Sequence, residues 1–294
     1  MKTENETLKF VFITNCVNED FYNPVKKGVH DASRLIDVKA DFIGTEEVDI
    51  DQQIEMVDNA IKQGYDGIAL SITHPTKFNA VIEKALKHGI PVVGFNIDSN
   101  DPSNKRLSCI CQNVYEAGKI LGREAMKYIP EKSRLLFTLH SVGVSALDDR
   151  LRGAQEVLSN KNIISQVVVT GIEPMKASSI ILKALKEDEQ INAIICTGQA
   201  DTEGAGIAAN ILKKDKDYFV AGFDLSAKII QFIEEGIIRF TIDQQPYVQG
   251  FYPVLQLALY CRYGIIPSNM DAGATIIDRN NIKTLIRAHQ KGYR

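Results

Sequence analysis

Short apolar, β-branched runs alternate with stretches of helical period along almost the whole chain, and the alternation begins twice. In the first round the runs at 9–14, 38–42, 67–72, 92–95 and 107–110 predict strands. Between and after them, 22–35, 51–63, 77–87 and 114–128 carry apolar residues at helical spacing, as Ile54, Val57 and Ile61 do. The second round has strands at 135–138, 164–169, 193–196 and 219–223, with helices at 149–158, 175–186, 203–212 and 227–235. A strand at 240–242, a long helix at 248–263, a strand at 274–277 and a short C-terminal segment complete the chain.

Near-continuous apolar strands separated by helices belong to parallel sheets covered on both faces. The fold class is therefore α/β, with two doubly wound parallel-sheet lobes. The 294 residues, 45% of them hydrophobic, suffice for two cores. Net charge is −3, which gives no basic excess for a nucleic-acid partner. No run is long and apolar enough to span a bilayer. The opening MKTENETLKF is polar and lacks the apolar centre of a signal peptide.

The five cysteines show no disulfide framework. Cys109 and Cys111 lie two apart on one strand, so they share a face at a spacing awkward for a bridge. A CxC can begin a metal site, but no His or Cys cluster completes it, and buried free thiols with no bound metal are the expectation.

Ligands of doubly wound sheets sit beyond the carboxyl ends of the strands. After the first strand come Asn15, Glu19, Phe21 and Tyr22. The aromatic pair either flanks a sugar ring or staples the start of a helix. Other strand ends carry Asn96 and Asp98, Gln199 and Asp201, Asp224, and Gln244. Amides and carboxylates suit a hydroxyl-rich ligand, although each acid alone also reads as a helix cap or Asx-turn. Arg150 either forks onto adjacent hydroxyls or pairs on the surface with Asp148 or Asp149.

No dinucleotide, P-loop or zinc-protease motif follows a strand. Gly143-Val144-Ser145 begins like a nucleophile elbow but lacks the second glycine, so an enzyme is not expected.

The phrases GIPVVGFNIDS (89–99), QNVYEAGKILG (112–122), DDRLRG (148–153), TGQADTEGAG (197–206), VAGFD (220–224) and TIDQQP (241–246), with Phe21-Tyr22, run in one order over nearly the whole chain. That order resembles the type I periplasmic binding proteins, which include ribose-binding proteins and the ligand lobes of LacI-type repressors. The resemblance implies a venus-flytrap receptor whose lobes close on a sugar or other small polyhydroxylated ligand and need no cofactor. It implies sugar contacts from Asn15, Glu19, Phe21, Tyr22 and Asn96, crossover contacts from Gln112 and Asn113, and a gripping Arg150. Gln199 or Asp201, Asp224 and Gln244 follow from the second lobe and hinge.

Three crossings are expected near 111–114, 240–245 and 272–276. Lobe one is then 8–111 plus 244–273, and lobe two 114–240 plus 276–294. Asn96 in place of an acid, Ile97 in place of an Arg and Glu19 in place of an amide argue against ribose itself. Another pentose or hexose, a polyol or a linear polar molecule remains open. The resemblance further implies a monomer that is periplasmic, or lipid-anchored outside the cell, with its leader absent from this sequence. Its partner would be the permease of an ABC transporter; the alternative is the sensing module of a membrane kinase or a LacI-type regulator.

Overall fold

The computed structural model describes residues 7–213 and 217–294, so most of the polar opening lies outside the described residues. The chain divides into two compact units. The first comprises the chain up to Gln112, Gln245–Ala272 and Gly292–Arg294; the second comprises Asn113–Gln244 and Gly273–Lys291.

The first unit begins with β1 (Lys9–Thr14), α1 (Tyr22–Leu35), β2 (Lys39–Gly44), α2 (Ile50–Gln63) and β3 (Gly67–Leu70). It continues with α3 (Asn79–Lys87), β4 (Val92–Asn96) and β5 (Ser108–Cys111). The second unit follows with α4 (Val114–Ala125), β6 (Arg134–Leu139), α5 (Ser145–Leu158), β7 (Ile164–Val169) and α6 (Pro174–Glu187). Then come β8 (Ile191–Cys196), α7 (Gln199–Leu212), β9 (Phe219–Phe223), α8 (Ala227–Glu235) and β10 (Phe240–Asp243). The chain returns to the first unit for α9 (Pro246–Tyr263) and β11 (Met270–Asp271), and to the second for β12 (Thr275–Asp278) and α10 (Ile282–Gln290).

Each unit is built on a six-stranded sheet, ordered β11-β5-β4-β3-β1-β2 in the first and β12-β10-β9-β8-β6-β7 in the second. Because side chains alternate across a strand, β1 serves two cores. Phe10 and Phe12 pack with Phe95 and residues of α1 and α9, while Val11 and Ile13 pack with α2 and α3. In the second unit Leu135, Phe137, Ile195 and Phe223 face α4 and α5, and Leu136, Ile194 and Val220 face α6, α7 and α8.

The strands run parallel with one departure from expectation. β12 pairs antiparallel with β10, Asp243 opposite Thr275 and Phe240 opposite Asp278. The chain re-enters this unit at the carboxyl end of β10 and runs straight back, which needs no crossover helix.

Two further departures concern the C-terminus. The expected short segment contains a helix, α10, whose Ile282, Leu285 and Ile286 join the core beneath α8. The last three residues belong to the first unit rather than to the second. There Tyr293 meets Tyr247 edge-on at 4.9 Å, and Arg294 donates to Gln245 Oε1 at 3.2 Å.

Close helix packing fixes the element that carries Arg150. A Cβ on Gly118 of α4 would lie 2.2 Å from the Arg150 carbonyl oxygen, and one on Gly153 of α5 would lie 2.3 Å from the Tyr115 carbonyl oxygen. Backbone meets backbone at both points, so only glycine admits this approach of α4 to α5.

Candidate functional site

Two clusters of buried polar groups stand at strand ends, one in each unit. Both are anchored by a non-glycine residue in left-handed conformation: Asn96 (φ 63°) ends β4 and Asp224 (φ 67°) follows β9. That conformation costs on the order of 1 kcal/mol, and Asn and Asp tolerate it best. It turns the chain sharply and leaves a polar side chain at the rim of the sheet.

In the first unit the phenol of Tyr22 is the centre of a network. It accepts from Thr14 Oγ1 at 2.7 Å and lies within donating distance of Asn96 Oδ1 (3.2 Å) and Asn15 Oδ1 (3.4 Å). Asn96 Nδ2 donates to Gln249 Oε1 of α9 at 3.2 Å. Phe21 stands edge-on to Tyr22, with ring centroids 5.2 Å apart. Burial, reinforced by the charge of Glu19, pushes the Tyr22 phenol upward, so it remains a neutral donor. The same two causes push the neighbouring Cys16 thiol up to about 12. Asn15, Tyr22 and Asn96 are thus joined, with Phe21 and Glu19 beside them.

Asp98 is drawn away from this group. It is ion-paired with Arg106, and its Oδ1 accepts from its neighbour's amide, Ser99 N, at 2.8 Å.

In the second unit Arg150 is buried, with 3% of its surface exposed. Its guanidinium lies over the Phe223 ring, 4.0 Å from the centroid, and Nη1 donates to the Thr197 carbonyl at 2.9 Å. Arg150 is therefore not the surface group of the alternative reading, and Asp149 is paired instead with Arg152 at 3.0 Å. Gln244 Nε2 donates to Asp224 Oδ1 at 2.7 Å. Burial pushes Asp224 up to about 6, against the opposing pull of Arg150 and Gln244. Arg150, Asp224 and Gln244 therefore form one array of a cation, a carboxylate and an amide.

Asp201 has the same raised value, about 6, from the same burial, but a different task. It accepts from Thr138 Oγ1 (2.6 Å), Thr197 N (2.9 Å) and Gly198 N (2.9 Å), which caps the start of α7. Gln199 is tied to the Leu225 carbonyl at 2.7 Å, and Asn113 caps α4 through Glu116 N at 3.3 Å. Gln112, buried, is the last residue of its stretch of the first unit.

Four residues outside the expected set take part. Thr14 and Gln249 complete the first cluster, and Phe223 supports Arg150. His140 packs on Gly198, where an added Cβ would lie 2.7 Å from its Cδ2. Burial and the charge of Arg150 hold the His140 ring down to about 4, so it is neutral near pH 7. Thr14 closes β1 and His140 directly follows β6, so both share the signal of a polar residue at the carboxyl end of a strand.

Residues 10–264 match the periplasmic binding protein domain family. The chain belongs to that family. Across 97% of its length it is 31% identical to the xylose/arabinose-binding protein XylF of Sulfolobus acidocaldarius, covering 74% of that protein. A solved carbohydrate transporter from Acidothermus cellulolyticus 11B, in complex with myo-inositol, superposes with a TM-score of 0.87 at 24% identity, over 98% of this chain and 100% of that one. The XylFII–LytSN complex contains a chain that superposes with a TM-score of 0.86 at 21% identity, over 94% of this chain and 99% of that one. This periplasmic binding protein thus has the type I fold of a non-enzymatic family that normally works outside the cytoplasm. The expectation that it performs no catalysis agrees with these relatives.

Proposed function

We propose that the protein is an extracytoplasmic receptor that binds a neutral sugar or polyol by closure of its two units and passes it to an ABC transporter. The observation that carries this reading is the Arg150–Asp224–Gln244 array, a buried donor–acceptor set at a strand end. A cation beside a carboxylate brings little surplus charge, and adjacent hydroxyls can both donate to Asp224 and accept from Arg150. The phenol–amide network of Tyr22, Asn15 and Asn96 supplies a second, uncharged set, with Phe21 as an apolar wall. The xylose and arabinose of the XylF relative and the myo-inositol of the transporter structure belong to this ligand class.

A thermal-shift screen over pentoses, hexoses and inositols tests the reading, because a ligand that binds only the folded state raises its melting temperature. One stabilising member, recovered unchanged by mass spectrometry, is the expected result. The complex with LytSN known for the XylFII fold favours a second end use, delivery of the bound signal to a membrane sensor. Stimulation of transporter ATPase by the liganded protein supports transport; its absence, with liganded capture of a sensor ectodomain, supports signalling.

A further inference from the structure

We propose that Cys109, Cys111 and Asp98 form a binding site for a thiophilic divalent cation, separate from the sugar-binding clusters. The two sulfurs and a carboxylate oxygen lie within 4.8 Å of one another. In a tetrahedral zinc site with legs of about 2.3 Å to sulfur and 2.0 Å to oxygen, ligand atoms stand roughly 3.5–3.8 Å apart. A contraction of about 1 Å therefore suffices.

The fold builds this grouping from three local features. Cys109 and Cys111 occupy alternate positions of β5 and so share one face, opposite Gly94 and Asn96 of β4. Gly94 leaves room for the first sulfur, since a Cβ there would lie 2.6 Å from Cys109 Sγ. A tight turn, in which Ile97 N donates to Phe95 O at 2.7 Å, folds the chain back and brings Asp98 over the sulfurs.

Charge and hydrogen bonding agree with a cation. Two thiolates and a carboxylate carry three negative charges, and Arg106, ion-paired to Asp98, offsets one. A divalent ion neutralises the remainder. The Arg106 Nε–H is buried without an acceptor among the described residues, and the guanidinium feels both cysteines. A metal-bound thiolate is a stronger acceptor than a neutral thiol. Thiols must give up their protons to ligate, so loading the site releases protons and weakens as pH falls.

The test titrates the reduced full chain with Cd2+, without sugar, reading the thiolate-to-metal charge-transfer absorbance and the melting temperature. One ion per chain is expected. Cys111→Ser should roughly halve the band, and both it and Asp98→Asn should weaken binding by about 10- to 100-fold, the range typical of lost ligand or support groups. Cys261→Ser, a thiol elsewhere in the same unit, should change nothing. Metal-free melts verify that each variant folds. Absence of the band, unaltered binding in Cys111→Ser and Asp98→Asn, or loss of binding in Cys261→Ser overturns the proposal. Because no sugar is present, any of these outcomes leaves the sugar reading untouched.

Discussion

The guanidinium of Arg150 lies over the ring of Phe223, 4.0 Å from its centroid, with both side chains buried in the second unit. A desolvated contact of this kind contributes about 2 kcal/mol and fixes the plane of the fork. The arginine is thereby part of the core as well as of the candidate site. Arg150→Met should abolish sugar-induced stabilisation. It should also lower the stability of the unliganded protein by about 3 kcal/mol, because Asp224 and Asp201 lose their buried counter-charge. Paired melts with and without ligand check both effects.

Asp224 and Asp201 behave alike in titration but differ in role, and substitution separates them. Asp201→Asn replaces one accepting oxygen by an NH2 group that must face at least one backbone N–H donor, so it should destabilise the fold by about 2 kcal/mol. Asp224→Asn keeps an acceptor for Gln244 and leaves Arg150 the counter-charge of Asp201, so it should cost less stability than Asp201→Asn while weakening ligand binding at least tenfold. Chemical denaturation and calorimetry distinguish the outcomes.

Affinity for a neutral sugar should fall as pH drops below Asp224's value of about 6. At pH 5 only about a tenth of such a carboxylate is ionised, so a site that needs the charged acceptor weakens roughly tenfold relative to pH 7. Asp224→Asn should flatten the profile.

Stability follows a different rule. Asp224 and Asp201, raised to about 6, contribute stability fully present below the ordinary carboxylate value and lost as pH rises through 6. His140, depressed to about 4, contributes stability present above its ordinary value of 6.5 and lost as pH falls through 4.

Gly118→Ala should destabilise the second unit by about 2–3 kcal/mol, because the Arg150 carbonyl 2.2 Å away belongs to a packed helix and cannot yield cheaply. By displacing α5 it should also weaken sugar binding, although Gly118 is no part of the array. A melt and a titration on the same sample test this.

Much of the fold was legible because each central strand is buried on both faces, so runs such as FVFI and IIC stand out without any alternation. The C-terminus was harder to read. β11 has two exposed residues, and α10 buries only Ile282 fully, so neither leaves a strong apolar signature. The strand-end rule found Asn96 and Asp224, but sequence spacing cannot reveal that Asp98 is held by Arg106 or that Gln249 reaches Asn96 from a helix 153 positions away. Nor does it show Arg150 as buried, since an arginine amid acids reads as a solvated surface group.

Under the proposed function, the strand-end groups around Asp224 and around Asn96 both bind a neutral polyhydroxylated ligand. Calorimetric titration of the wild type, Asp224→Asn and Asn96→Ala with the best ligand of the screen tests it most directly. One site per chain is expected, weakened at least tenfold by each substitution. Failure of every sugar and polyol to bind, or undiminished binding in both variants, would contradict it.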